Sequence, residues 1–288
     1  MIRPFDLPQL ADFGILNLRL SQLLLAAPKR SSGHWQSQDV SSRPEMQTRE
    51  LTNVVLDLPI EITQLCRMYI QPSVPWADDH FEERVSGTPY NPPPSEAWWP
   101  YSQHHNEAHK EGQIFSHTYP ERFWPKNAGQ GNSNLDVDAS SDWRGHVGIR
   151  YRYGDLQDVV SLLKKDPTTR QAYLPVWFPE DTGAVEGQRV PCTLGYQFLL
   201  RDNRLNITYH IRSCDFLRHF RDDVYMAMRL CNWVTARIPI GSLKSGDLIM
   251  HIGSLHIFEG DVPMLQAKLE AERHEQDAEF TRRLAMAL

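Results

Sequence analysis

Apolar and polar positions divide the chain into stretches with different periods. Near the start, the run LADFGILNLRLSQLLLAA spaces its leucines as a short amphipathic helix does. A polar, turn-rich run from Pro28 to Pro44 leads into a strand over Leu51–Leu58, with Arg43 and Arg49 flanking its entrance. From Pro72 to Trp143 the pattern is irregular and reads as a long loop rich in tryptophan, histidine and proline, a length that points to function. Periodicity returns after a Gly/Asn/Ser/Asp-rich turn. Leu156, Val159, Val160, Leu162 and Leu163 share one helical face, Asp166 and Pro167 stop that helix, and Ala172–Phe178 alternates as a strand. Two further strands, Thr193–Leu200 and Leu205–Ile211, flank a polar turn at residues 201–204 and predict a hairpin. A helix over Asp223–Ala236 and a strand over Asp247–Ile252, running on into GSLHIF, complete the pattern. The charged remainder predicts a helical tail on the surface or against a partner.

Composition narrows the classes. With 288 residues and 41% hydrophobic content the chain can bury a core as one large domain or two small ones. Lys+Arg total 30 against 36 Asp+Glu, so no overall basic field exists to hold polymeric nucleic acid. Cys66, Cys192, Cys214 and Cys231 lack CxxC spacing, which argues for a reducing compartment and against a disulfide framework. No apolar run reaches the roughly 18 residues of a membrane span, and the Met1 end lacks a signal pattern, so a cytoplasmic location is expected.

The stretch from Arg189 to Asp223 concentrates the chemistry. Cys192 follows a proline at the head of the predicted hairpin, and a nucleophilic thiol needs a positive or hydrogen-bonding neighbourhood, which Arg212 and Ser213 on the next strand can supply. Arg212 with Arg170 would make a fork for a phosphate dianion. Any one of the four cysteines could equally be a small core residue, and the two arginines could be solvated surface. His104, His105, His109 and His117 invite a metal reading, with His105 and His109 four apart. No HExxH pattern or suitably spaced carboxylate accompanies them, so no metal is expected. The tryptophans of the irregular stretch could line a flat ligand's pocket or fill the core.

Taken in order, DPTTR, PCT, QF, RSCD, FRDD and GSLHIF resemble the thymidylate synthase superfamily from about Arg43 to Phe258, densely only after Gly148. The resemblance implies an α+β fold with a central mixed sheet flanked by helices, and a homodimer through the sheet with shared active sites. It also implies a catalytic domain over 43–263 between an N-terminal extension, 1–42, and a helical tail, 264–288. In such enzymes the cysteine of the PC pair, here Cys192, adds to carbon 6 of a pyrimidine nucleotide. Carbon 5 then takes a one-carbon unit from 5,10-methylenetetrahydrofolate. By the same resemblance Arg212, Ser213, Arg170 (from the second subunit) and Arg43 bind the substrate, and His256 meets the ribose. Glu96 of EAWW organises proton transfer, and Asp215, Trp98 and Trp124 face the folate.

Three positions depart from the family pattern: Gln171 replaces a second arginine, Phe258 a tyrosine, and Val147 an active-site tyrosine, so the group that removes the proton from carbon 5 is open. Thr193 after the cysteine and Phe220-Arg221-Asp222-Asp223 look closer to phage deoxycytidylate hydroxymethylases than to methylating synthases. An aspartate suits cytosine, which offers an amino donor and a ring-nitrogen acceptor where uracil offers the reverse. Asp223 is assigned to the base, with Asp222 the candidate if the register slips by one. A dCMP hydroxymethylase is thus the expected activity. A methyltransferase on dCMP or dUMP, a dUMP hydroxymethylase and a non-catalytic nucleotide-binding relative are the alternatives.

Overall fold

A computed structural model describes residues 5–31, 33–35, 38–101, 110–111, 114–128, 154–179, 181–182 and 189–271. The described residues build one seven-stranded sheet: β1 (Phe5–Asp6), β2 (Lys29–Arg30), β3 (Thr48–Pro59), β4 (Tyr173–Pro175), β5 (Thr193–Arg201), β6 (Arg204–Asp215) and β7 (Lys244–Phe258). Its order is β1-β3-β7-β6-β5-β4, with β2 also paired to β3. β6 and β7 run parallel, as do β1 and β3, and the other pairs are antiparallel, so the sheet is mixed as expected. Helices α1 (Phe13–Ala26), α2 (Thr63–Ile70), α3 (Trp76–Val85), α4 (Tyr119–Phe123), α5 (Leu156–Lys165) and α6 (Phe220–Thr235) flank it, followed by α7 over 262–271.

Alternation explains the layering. Val54, Leu56 and Leu58 of β3, Leu205, Ile207, Tyr209 and Ile211 of β6, and Leu248, Met250 and Ile252 of β7 are buried on one face, the one α1 and α6 cover. The intervening residues, among them Asn53, His210 and His251, are half-buried or exposed and line a shallow cavity on the opposite face, where the His210 and His251 rings stack at 5.1 Å. Strands β5 and β6 form the predicted hairpin. Its two-residue turn, Asp202 and Asn203, adopts φ of 51° and 55°, left-handed conformations that Asp and Asn tolerate best after glycine.

The structure differs from the sequence reading most between residues 59 and 124. Helix α2 fills a stretch given no element in the sequence, α3 breaks what reads as loop, and a short helix, α4, opens on a capping box in which Thr118 and Glu121 cap each other's backbone N–H groups. The reason α3 escapes a hydropathy reading is physical. Its buried positions are Trp76, Ala77, His80, Phe81, Arg84 and Val85, a regular helical face on which two members are polar.

The remaining elements follow the sequence with shifted ends. α5 ends at Lys165 before Asp166 and Pro167, and α6 begins at Phe220, three residues earlier than read. β3 is longer than its predicted core at both ends. The helical tail is described only to residue 271, and His104, His105, His109, Trp143 and Val147 lie outside the described residues.

Candidate active site

The β5–β6 hairpin fixes Cys192. The pairing of the two strands shifts by one residue between His210 and Ile211, and just beyond that irregularity the Arg212 N–H donates to the Cys192 carbonyl at 2.9 Å. The Arg212 guanidinium turns back over the same segment. Its Nε donates to the Pro191 carbonyl at 2.9 Å and a terminal nitrogen to Val190 at 3.1 Å, while the Trp177 ring lies 5.8 Å away. Close approach of β7 completes the brace: a Cβ on Gly253 would stand 2.7 Å from the Arg212 carbonyl oxygen, so a side chain there must push β6 aside.

Cys192 is exposed, whereas Cys66, Cys214 and Cys231 are buried. It reaches solvent from a floor of packed protein, and that packing pushes its thiol pKa up while Arg212 and Arg189 pull it down. The three buried thiols are all pushed up by burial, Cys66 to about 11 and Cys231 to about 12, which leaves them inert packing groups.

Behind Cys192 runs a chain of hydroxyls. Thr193, fully buried, donates to the Tyr119 hydroxyl at 3.2 Å and lies 2.9 Å from the Tyr209 hydroxyl. Tyr209 in turn hydrogen-bonds Asp223, and the Tyr196 ring stacks on Tyr209 at 4.6 Å. Asp223 sits in the first turn of α6, with the Cys214 thiol 3.6 Å from its Oδ2. Burial raises its pKa to about 7, against the pull of Arg84, so near neutrality this carboxyl holds a proton about half the time.

Its neighbour Asp222 points elsewhere and accepts the Ser73 N–H at 2.7 Å. The helix therefore separates the two carboxylates, and Asp223 is the one turned toward Tyr209 and Cys214.

The other sequence candidates divide into those gathered near Cys192 and those held apart. Asp215 is buried and its charge acts on Cys192, but Oδ1 accepts the N–H groups of Leu217 and Arg218 and Oδ2 lies 3.8 Å from the Arg218 guanidinium, so one oxygen caps a turn and the other is ion-paired. His256 is the registered partner of Asp215 across β6 and β7, half-buried with its ring edge against Phe258 at 5.4 Å. Ser213 is registered with Ser254. Beside Asp215, Trp99 stacks on His219 at 5.3 Å and meets Tyr101 edge-on at 5.9 Å, forming an aromatic shelf.

Trp98 is exposed and donates to Asp79 at 3.2 Å, whereas Trp124 is buried and donates to the Arg84 carbonyl at 2.8 Å, so of these two only Trp98 offers a free ring face. Glu96 is half-buried on the 3-10 turn Pro94–Trp98. Arg170 is exposed, and among the described residues its guanidinium makes no hydrogen bond or ion pair. Arg43 is exposed and paired with Glu45 at 2.9 Å. Within one chain neither joins Arg212.

Sequence reasoning missed three residues that the fold brings to this neighbourhood, Tyr119, His80 and Arg84, and weighed a fourth, His117, only as a metal ligand. Tyr119 is half-buried beside Cys192, and desolvation together with that thiol pushes its phenol up. His80 stacks on Trp76 at 4.9 Å, with Nδ1 3.0 Å from Ser95 and 3.3 Å from Glu83. Burial and Arg84 lower it to about 4, so it is neutral at physiological pH. Arg84 lies 4.0 Å over the Tyr119 ring. His117, the described member of the histidine group, is buried and lowered to about 3 by burial and Arg189. The TYPE capping-box spacing at residues 118–121 was the available signal for Tyr119. Among the described residues no group of three or more His, Cys, Asp or Glu could hold a metal ion.

An exposed cysteine braced by an arginine, with the half-buried acid Asp223 behind it, defines a nucleophile site. Residues 98–283 match the family model described as thymidylate synthase, and the chain belongs to that family. It is 28% identical over 126 residues to a putative thymidylate synthase of Methanosarcina barkeri, covering 43% of this chain and 52% of that protein. It is 34% identical over 71 residues to a deoxycytidylate 5-hydroxymethyltransferase of Enterobacteria phage T6, covering 23% and 29%. A bifunctional dihydrofolate reductase-thymidylate synthase of Paramecium tetraurelia is 25% identical over 145 residues, covering 44% and 29%. The matches thus span about half or less of these relatives' lengths.

Proposed function

We propose that the protein is a one-carbon transferase that hydroxymethylates carbon 5 of dCMP. The observation that carries this reading is Asp223, a half-buried acid whose pKa is pushed up to about 7, behind the exposed Cys192. A neutral carboxyl donates its O–H to the ring nitrogen of cytosine and accepts from the 4-amino group, so its own proton completes the pair. The matching segment of the phage hydroxymethyltransferase supports the same choice.

The chain's own residues supply the steps. Arg212 and Arg189 favour the Cys192 thiolate, which adds to carbon 6 and makes carbon 5 nucleophilic. Arg212 and Ser213 hold the nucleotide phosphate, and His256 meets the ribose. Arg170 serves the partner's site in a homodimer that pairs through the half-exposed sheet face of His210 and His251. Tyr119, held by Thr193, is the group we assign to position the water that takes the proton from carbon 5 and passes it to solvent, in place of a tyrosine at position 147. Glu96 is assigned to order water near the base.

The shelf of Trp99 and Tyr101 beside Asp215, whose Oδ2 is paired with Arg218, and the exposed ring of Trp98 fit the flat ring of a reduced folate. Trp124, being buried, supports Arg84 instead. When bound, 5,10-methylenetetrahydrofolate supplies a one-carbon unit at the oxidation level of formaldehyde. Water then adds to the exocyclic methylene left on the nucleotide once tetrahydrofolate has departed, and the Cys192 thiolate is expelled from carbon 6, which restores the ring double bond.

Thymidylate synthesis on dUMP is the second reading, favoured by the archaeal relatives and by an ionised Asp223, which would accept the ring N–H of uracil. No helix among the described residues is long and apolar enough to cross a membrane, and a cytoplasmic location goes with this proposal. Incubation with methylenetetrahydrofolate and either dCMP or dUMP tests it. Tetrahydrofolate with a hydroxymethylated dCMP supports the reading, dihydrofolate with a methylated product assigns methylation, and turnover of dUMP alone overturns the base assignment.

A further inference from the structure

Helix α3 and the turn Pro94–Trp98 hold between them three side chains that have no part in the reaction above. Glu83 accepts both the N–H of Ser95, at 2.6 Å, and the Ser95 hydroxyl proton. Burial pushes the Glu83 carboxyl up, but hydrogen bonds from His80 and Ser95 outweigh it and hold its pKa below the ordinary value, so it is ionised. His80 Nδ1 lies 3.0 Å from the Ser95 hydroxyl oxygen and 3.3 Å from the Glu83 carboxylate. With the Ser95 proton given to Glu83, neither neighbour has one to offer Nδ1. In the neutral ring Nδ1 is therefore the protonated nitrogen, and Nε2 is a bare acceptor.

The other edge of the ring is open. Among the described residues Nε2 makes no hydrogen bond, yet it is not among the nitrogens sealed away without a partner, so the 7% of His80 that stays exposed includes it. The ring stacks on Trp76 at 4.9 Å and stands edge-on to the Tyr119 ring, 6.5 Å away at 82°. Tyr119 in turn accepts the Thr193 hydroxyl proton at 3.2 Å, and Thr193 follows Cys192 in the chain. A carboxylate, an oriented imidazole and a phenol thus lead to the residue beside the nucleophile. A carboxylate behind Nδ1 with Nε2 presented is how proteins keep an imidazole ready to take a proton.

We propose that His80 Nε2 receives the proton lost from carbon 5, through the water that Tyr119 positions, with Glu83 and Ser95 fixing the ring's tautomer. This role rests on the one-carbon transfer reading above and deepens it by naming where that proton goes. When the carbon 5–hydrogen bond breaks, its electron pair becomes the exocyclic double bond, and the carbon–nitrogen bond to the departing amine breaks. The water takes the proton and gives one of its own to Nε2. The ring then releases a proton to solvent, and a solvent proton goes to the departing amine.

A 5-fluoro nucleotide separates the steps. With fluorine in place of the hydrogen on carbon 5, the reaction stops once Cys192 and the one-carbon unit are both joined to the ring. His80→Asn keeps a hydrogen-bonding group near the place of Nδ1 and removes Nε2. In the full chain with methylenetetrahydrofolate, it is expected to form the covalent adduct with 5-fluoro-dCMP, seen by mass spectrometry, at a rate close to wild type. Its tritium release from carbon 5 of dCMP is expected to fall about a hundredfold or more. Nitrogen-15 NMR of ligand-free wild-type protein is expected to show Nδ1 of His80 protonated and Nε2 bare. Unchanged tritium release in His80→Asn, an equal loss of adduct formation and release, or a proton on Nε2 overturns the proposal. Where His80→Asn does not fold, Glu83→Gln, which weakens the hold on Nδ1, replaces it. Release slowed severalfold with adduct formation retained then supports the proposal, and unchanged release overturns it. Wild-type protein that forms no adduct with 5-fluoro-dCMP or 5-fluoro-dUMP removes the one-carbon transfer reading itself, and this proposal with it.

Discussion

The Arg212 N–H donates to the Cys192 carbonyl at 2.9 Å, and the guanidinium of the same residue returns to the Pro191 carbonyl, also at 2.9 Å. One side chain thus aims the nucleophile and charges its surroundings. Because Arg212 lowers the Cys192 pKa, its removal leaves less thiolate at a given pH, by about tenfold for each unit of rise. Alkylation of Cys192 by iodoacetamide at pH 7.5 is expected to slow severalfold in Arg212→Gln. An equal or faster rate would show that the arginine does not activate the thiol.

In the chain Tyr119, Thr193, Tyr209 the last two are fully buried and Tyr119 is half-buried, so Thr193 and Tyr209 cannot turn to water for replacements. Thr193→Val keeps the shape and removes the hydroxyl, leaving two phenols short of a partner, at a cost of about 1–3 kcal/mol. Urea unfolding measures this directly. A loss below about 0.5 kcal/mol would mean that the hydroxyls find other partners.

Asp223 makes stability depend on pH in a known direction. Its folded pKa, about 7, lies above the ordinary value of 3.8, so the folded state holds the proton more tightly. Stability from this group is therefore fully present below about pH 4 and is lost as pH rises through 7. Asp223→Asn does not titrate. Relative to wild type, the variant is expected to gain on the order of 2–4 kcal/mol between pH 4 and pH 8, then to hold that difference constant. Unfolding at pH 5, 7 and 8.5 checks it, and a pH-independent difference would contradict the buried-acid account.

The same substitution is expected to change base choice. With an amide in place of the acid, the ratio of kcat/KM for dCMP over dUMP should fall at least tenfold, because an amide can turn to serve the carbonyl and ring N–H of uracil as well as it serves cytosine. An unchanged ratio would take Asp223 out of the base-reading role.

How much of this was legible in the chain depends on the kind of signal. The β5–β6 hairpin, α5 and α6 announce themselves because their buried positions are apolar and repeat at two or 3.6 residues. Cys192, Arg212 and Asp223 fall within about thirty residues of sequence, so local reading brings them together. α3 hid because His80 and Arg84 occupy positions on its buried face, where apolar residues would have marked the helix. Tyr119 hid because its helix is five residues long and its neighbours at the site come from strands more than seventy positions away. Arg43 and Arg170, assigned by resemblance, lie on the surface of the single chain, and the roles proposed for them include one in a partner's site.

Tritium release from carbon 5 of dCMP most directly tests whether Cys192 opens this ring to substitution. With methylenetetrahydrofolate present, wild-type protein is expected to release tritium to water, and Cys192→Ala to release at least a thousandfold less, as nucleophile removal does elsewhere. Wild-type protein that binds dCMP and releases none, or a Cys192→Ala protein that releases at the wild-type rate, would contradict the account.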